Sequence, residues 1–85
     1  MTKRATAADV LLRAAQLVDC GEVPSYFLAV GAAAIQLRVY GNRSACGAAR
    51  KAALFVGGEH AFEAPKNIRV LTLLFARELV LSGDV

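Results

Sequence analysis

The sequence predicts an all-α protein folded as a bundle of four helices, and three observations lead to that prediction. Apolar residues recur at helical spacing in four segments, and stretches rich in glycine, proline or asparagine separate them. No segment shows the long apolar and polar alternation of a strand, and 85 residues make one domain. We expect helices over about residues 7–20, 25–40, 44–56 and 67–82 of a single helical domain spanning residues 1–85.

The first helix has a start signal and a stop signal. Thr6 with Asp9 three residues later resembles a capping box with Asp in place of Glu, in which the hydroxyl accepts a backbone N–H and the carboxylate lies near the positive end of the helix. Gly21 is the expected C-terminal stop. An apolar stripe lies between them and consists of Val10, Leu11, Ala14, Leu17 and Val18.

The second helix is almost free of polar residues. From Tyr26 to Tyr40 only Gln36 and Arg38 interrupt apolar or small side chains, so we expect a central helix buried on most sides. Pro24 suits its first turn and Ser25 is a competing cap. The turn of Gly41 and Asn42 ends it.

The third helix is shorter, with Ser44 as its expected cap and Arg50 and Lys51 opposite its alanine-rich face. Gly47 lowers its stability by about 1 kcal/mol relative to alanine. Gly57 and Gly58 terminate it, and residues 57–66 form the longest connection.

The last helix is expected to start at Asn67 as N-cap, after Pro65. Its predicted inward residues are Ile68, Leu71, Leu74, Phe75, Leu79 and Leu81, and its predicted polar side holds Arg69, Thr72, Arg77 and Glu78. Val70, Leu73 and Val80 widen the apolar arc beyond one core face. We therefore predict that these three residues form an oligomer interface.

The chain is more apolar than a lone domain of this size readily buries. Hydrophobic residues make up 56% of it and the mean hydropathy is +0.46. We therefore expect self-association, with a homodimer completing the bundle.

The inventory of chemical groups argues against catalysis. Cys20 and Cys46 lack a CxxC spacing, and we expect both to be small buried fillers. His60, beside Glu59 and near Glu63, offers too few ligands for a metal site. We expect a protein that is not an enzyme and has no metal and no other cofactor.

The middle of the chain carries only positive charges. The net charge is +3, the calculated pI is about 9.2, and every charge between Glu22 and Glu59 is positive. We predict that Arg38, Arg43, Arg50 and Lys51 bind a partner with an acidic surface, either a host protein or a nucleoprotein. Nucleic acid is the alternative partner, because the same residues are able to contact phosphates. The segment from Leu17 to Val30 fits a helix-turn-helix poorly, since its second helix would present apolar side chains to base edges.

No segment predicts a membrane span. The longest nearly uncharged stretch runs from Val23 to Leu37 and is interrupted by Pro24, Ser25 and Gln36, short of the roughly 20 residues that cross a bilayer. The N-terminus lacks the order of a secretory signal. We expect a cytoplasmic protein with no membrane partner.

Two segments of the sequence resemble parts of other small proteins. The sequences "ADVLLRAAQLVDCGE" at 8–22 and "NIRVLTLLFARELVLSGD" at 67–84 resemble the first and last helices of small, uncharacterised helical proteins encoded by phages and prophages. The resemblance implies an accessory protein of a mobile element, acting in the host cytoplasm. One role in that setting is stoichiometric inhibition of a host machine, as anti-CRISPR proteins do.

These observations together predict a small binding protein that inhibits or redirects a host macromolecular machine. The first alternative is a small basic DNA-binding transcriptional regulator, whose affinity would fall steeply with salt. The second alternative is a structural oligomer or virion component, which would assemble without any other partner.

Overall fold

The computed structural model describes residues 5–39, 43–58 and 64–83, and for residues 43 and 44 the backbone only. Four α-helices occur in these ranges, and no strand does. They are α1 (Ala7–Asp19), α2 (Tyr26–Gln36), α3 (Arg43–Gly57) and α4 (Lys66–Ser82). The prediction of an all-α bundle of four helices is confirmed.

Helix α1 is the centre of the bundle. It packs against each of the other three helices, whereas α2 and α4 scarcely meet. Eight of the 13 residues of α1 are buried, but only five of the 11 residues of α2. The expectation that α2 would be buried on most sides is therefore wrong. Because the described helices that α2 packs on are mainly α1 and α3, its opposite side is open to solvent.

Local capping signals explain how the first two helices begin. The Thr6 hydroxyl accepts a hydrogen bond from the Asp9 N–H at 3.3 Å, and Asp9 Oδ2 accepts one from the Thr6 N–H at 2.9 Å. The capping box is thus confirmed, and Gly21 follows the helix with a φ of 82°, as the stop signal predicted. Ser25 is the N-cap of α2, so the serine and not Pro24 starts that helix.

Helix α2 ends at Gln36, four residues before the predicted end. The Arg38 N–H donates to the Ile35 carbonyl at 3.1 Å and the Val39 N–H to the Ala34 carbonyl at 2.9 Å. This pair of bonds is a Schellman motif, with Arg38 in the left-handed position at φ 61°. Val39 is buried at 2% exposure, because the reversal turns its side chain back onto the core.

The other two helices start one residue before their predicted starts. Helix α3 begins at Arg43, so Ser44 lies within the helix and is not its cap. Pro65, not Asn67, is the N-cap of α4, and its carbonyl accepts the first hydrogen bonds of the helix. The Lys66 ammonium donates to the Asp19 carbonyl at 3.0 Å, which joins the start of α4 to the end of α1. These two helices therefore run antiparallel.

The orientation of α4 is the opposite of the predicted one. Leu73 and Ala76 are fully buried and Thr72 is 7% exposed. Four residues predicted to point inward are among the exposed large hydrophobics of the chain, namely Ile68, Leu71, Phe75 and Leu81. The prediction of the core face of this helix was wrong.

Two polar side chains on the inner side of α4 have hydrogen-bond partners, whereas the buried Nε atoms of Arg69 and Arg77 have none among the described residues. The Thr72 hydroxyl donates to the Ile68 carbonyl at 2.9 Å, within its own helix. The Arg69 guanidinium donates to the Pro24 carbonyl in the loop before α2. Small side chains also favour this side, since threonine and alanine allow the helix axes to approach more closely than leucine does.

Candidate partner-binding face

An apolar stripe runs along the open side of α2. Leu28, Gly31 and Ile35 are spaced three and four residues apart, which places them on one side of the helix. Leu28 is 61% exposed and Ile35 is 62% exposed. The opposite side of α2 enters the core through its five buried residues, which include Ala29 and Ala33. The stripe is therefore the solvent side of the helix.

The side chain of Arg50 crosses from α3 to the middle of this stripe. A Cβ atom added at Gly31 would lie 3.4 Å from Nη2 of Arg50, so the guanidinium rests against the α2 backbone at that glycine. An arginine stem packs well along apolar surface while its charged end stays in water. The result is a cation placed between two exposed apolar side chains, Leu28 one turn before it and Ile35 one turn after it.

A buried tyrosine sets the alignment of the two helices that form this face. The Tyr26 hydroxyl at the start of α2 donates to the Gly58 carbonyl just past the end of α3. Tyr26 is fully buried, and its ring stacks on Phe27 with the centroids 4.4 Å apart. Tyr26 is therefore a core residue. Its hydrogen bond holds α2 and α3 in the register that brings Arg50 to Gly31.

Arg38 lies at the end of the same helix in an uncommon backbone conformation. Its φ of 61° is left-handed, a region that disfavours residues with a Cβ by roughly 1–2 kcal/mol. Its side chain is exposed. Within the described part of the chain, no acidic group forms an ion pair with Arg38, Arg50 or Lys51.

The structure does not gather all four predicted cations on one face. Arg50 and Lys51 are consecutive on α3, so their side chains point about 100° apart around the helix. Arg43 is the first residue of α3, and its side chain lies outside the described residues. We define the α2–α3 face as Leu28, Gly31, Ile35, Arg38 and Arg50.

Sequence reasoning did not single out Leu28 and Ile35. Their spacing of seven residues was visible, but nearly every residue of α2 is apolar, so no side of the helix stood out. The signal that distinguishes this side is Gly31 with a long cation on the neighbouring helix. That signal depends on how α2 and α3 pack together.

The predicted oligomer interface on α4 is only partly accessible. Leu73 is fully buried, and Val70 and Val80 are partly buried against the core. Leu73 is therefore a core residue in this structure. Solvent-exposed apolar residues do occur on α4, but at other positions, because the helix is rotated relative to the expectation.

The described side chains that could bind a metal or act as nucleophiles do not form a cluster. In residues 5–39, 43–58 and 64–83, no three His, Cys, Asp or Glu side chains lie close enough to hold a metal ion. Cys20 is exposed and Cys46 is partly buried, so Cys20 is not the buried filler that was expected. His60 and its neighbours Glu59 and Glu63 lie outside the described residues. None of the described helices has the length and apolar character needed to cross a bilayer.

Comparisons of the chain with protein-family models, with curated proteins and with solved structures produced no significant match.

Proposed function

We propose that this chain is a small non-catalytic binding protein that docks on an acidic protein surface through the α2–α3 face. The observation that carries the proposal is the guanidinium of Arg50, placed on the backbone of Gly31 between exposed Leu28 and Ile35. Arginine flanked by apolar side chains is a frequent composition at the energetic centre of protein interfaces.

The geometry suits recognition of a carboxylate. An arginine forms two parallel hydrogen bonds with a carboxylate, and these bonds strengthen when water is excluded. Leu28 and Ile35 lie one turn to either side of the cation, where they would exclude water once a partner covers them. The absence of acidic residues between Glu22 and Glu59 favours rapid encounter with a negatively charged surface.

The same features favour a protein over duplex DNA. Binding to DNA draws on several phosphate contacts, and sequence readout needs polar side chains at base edges. The α2–α3 face instead combines two cations with two large apolar residues, which gain little from a phosphate backbone. The DNA-binding regulator remains the alternative, and a structural oligomer or virion component is the third.

The biological setting belongs to the same proposal. The likeness of the terminal helices to small phage and prophage proteins supports a host protein or nucleoprotein as the partner, acted on in the host cytoplasm. Occupation of an acidic site on that partner would inhibit or redirect it without chemistry. Counter-defence of the anti-CRISPR kind is one example of such a role.

The test is a capture experiment with matched charge reversals. Tagged wild-type protein, Arg50→Glu and Lys51→Glu are used as baits in host lysate treated with nuclease, and the captured proteins are quantified by mass spectrometry. Both variants change the net charge equally, but only Arg50 lies on the α2–α3 face. We expect Arg50→Glu to reduce capture of a stoichiometric protein at least tenfold and Lys51→Glu to reduce it only a few-fold.

Two outcomes contradict the proposal. Equal losses for both variants would indicate a diffuse electrostatic attraction and no defined site. Capture of nucleic acid alone, lost after nuclease treatment or at higher salt, would favour the DNA-binding regulator, because counterion release makes such binding steeply dependent on salt.

A further inference from the structure

A second apolar surface lies on the outer side of α4. We define the α4 face as Ile68, Leu71, Leu74, Phe75 and Leu81. Four of them are exposed at 44% (Ile68), 45% (Leu71), 60% (Phe75) and 57% (Leu81), and Leu74 is partly buried. These residues lie opposite buried Leu73 and Ala76, so the helix presents one apolar side to the core and another to solvent.

We propose that the α4 face is a homodimer interface, in which it packs on the α4 face of a second copy in antiparallel orientation. This proposal is independent of the α2–α3 face and of its partner. It rests on the electrostatics of the face, on its shape and on the area that it would bury.

The charges on the α4 face are compatible with a second copy of the same chain. Glu78 lies within the α4 face, three positions after Phe75 and three before Leu81, and forms an ion pair of 3.6 Å with Arg77, so the two add no net charge. Two such faces therefore meet without repulsion between like charges. The α2–α3 face would meet its own copy with Arg38 and Arg50 on both sides, which disfavours self-association there.

The shape of the face offers room for side chains of a second copy. A depression of about 250 Å³ is lined by Leu71, Leu74, Phe75, Arg77 and Glu78. A second one of about 260 Å³ lies between α1 and α4 and is lined by Leu12, Ala15, Gln16, Asp19, Val70 and Leu74. Leu74 borders both, so the two depressions are neighbours on the surface of α4. Large side chains that protrude from a second α4 face fit such depressions.

The distribution of residues suits a two-fold axis near the middle of the face. Ile68 and Leu81 are 13 positions apart, about 20 Å along a helix, and Leu74 and Phe75 lie midway between them. An antiparallel pair brings the central residues of both copies together and places Ile68 of one copy at the level of Leu81 of the other. Such isologous contacts repeat every interaction twice.

The apolar area of the α4 face is comparable to that of a small dimer interface. At their observed exposures, the four exposed side chains present on the order of 400 Å² per copy, so two copies bury on the order of 800 Å² from these residues alone. Leu74, Val70 and 37%-exposed Leu12 extend the apolar surface. These additions bring the total close to the roughly 1,000 Å² expected of a specific interface.

The experiment measures molar mass by sedimentation or light scattering from low micromolar to submillimolar protein. Wild type is compared with Phe75→Glu and Leu71→Glu on the α4 face, and with Ile35→Glu on the α2–α3 face. Ile35 is the matched control, because its exposure of 62% is close to the 60% of Phe75. Circular dichroism verifies that every variant keeps its helical content.

We expect wild type and Ile35→Glu to reach the mass of a dimer with the same midpoint. Phe75→Glu and Leu71→Glu should weaken the dimer at least tenfold, because each buries two uncompensated carboxylates near the axis. A wild type that stays monomeric throughout the range would overturn the proposal. So would dimerisation that survives both α4 substitutions, or that Ile35→Glu abolishes equally well.

Discussion

The α2–α3 face and the α4 face expose apolar side chains to nearly the same degree but differ in charge. Leu28 and Ile35 on the first are 61% and 62% exposed, and Phe75 and Leu81 on the second are 60% and 57% exposed. Arg50 lies at the centre of the first, whereas the second contains Glu78, whose charge is compensated by the neighbouring Arg77. Apolar exposure marks both as interaction surfaces, but the charge indicates which kind of partner each one fits.

Both faces have the same architectural origin. Because α1 occupies the centre, α2 and α4 lie in different places on its surface and hardly touch each other. The thinnest dimension of the bundle is 16 Å, so there is no further layer to cover the outer side of either helix. Four helices with this much apolar sequence cannot hide all of it in a monomer.

The largest expected effect tests whether α4 has the orientation that creates the α4 face. Leu73→Ala should lower the free energy of unfolding by roughly 2–5 kcal/mol, because it leaves a cavity among fully buried side chains. Leu71→Ala, two residues away and 45% exposed, should change it by less than about 0.5 kcal/mol in dilute protein. Urea denaturation at low micromolar concentration measures both. Equal losses would mean that the two sides of α4 are not distinct.

The second-largest effect is expected at Tyr26, which supports the α2–α3 face but not the α4 face. Tyr26→Phe removes the hydroxyl that bonds the Gly58 carbonyl, so the free energy of unfolding should fall by about 1 kcal/mol. The register of α2 on α3 should loosen, which would weaken partner capture but leave the dimer midpoint unchanged. A shift in that midpoint would show that the faces are coupled.

A substitution at Arg38 is expected to raise the free energy of unfolding by about as much as Tyr26→Phe lowers it. Glycine adopts left-handed φ values without the Cβ penalty, so Arg38→Gly should raise the free energy of unfolding by about 1 kcal/mol. It also removes a cation from the α2–α3 face. Partner capture that falls while stability rises would assign Arg38 to binding, and unchanged capture would confine the face to Arg50 and its apolar neighbours.

The smallest effect concerns the contact that defines the α2–α3 face. Gly31→Ala should stabilise α2 by roughly 0.5–1 kcal/mol through helix propensity. The new methyl would lie 3.4 Å from Nη2 of Arg50, an ordinary contact that shifts the flexible guanidinium only slightly. A thermal melt measures the change in stability, and the capture assay measures whether the shifted guanidinium still binds the partner. A loss of stability would indicate that the guanidinium is packed more rigidly than its exposure suggests.

Local signals identified the helices because the interactions that start and stop them are themselves local. Thr6 with Asp9 and the left-handed Gly21 bracket α1 within a few residues of chain. The end of α2 was missed because its left-handed residue is Arg38, a residue type that does not signal a stop. Its reversal depends on Val39 finding a place in the core, which no local pattern reveals.

The amino-acid sequence by itself determined the helical class, the approximate helix positions, the apolar surplus and the positive charge of the middle segment. Only the tertiary structure decided that α1 is central, that Leu73 and not Leu71 enters the core, and that Arg50 reaches Gly31. The physical reason is that α4 has two apolar sides of similar hydrophobicity. Which one is buried depends on how closely its neighbours pack, and that is a property of the whole bundle and not of the helix.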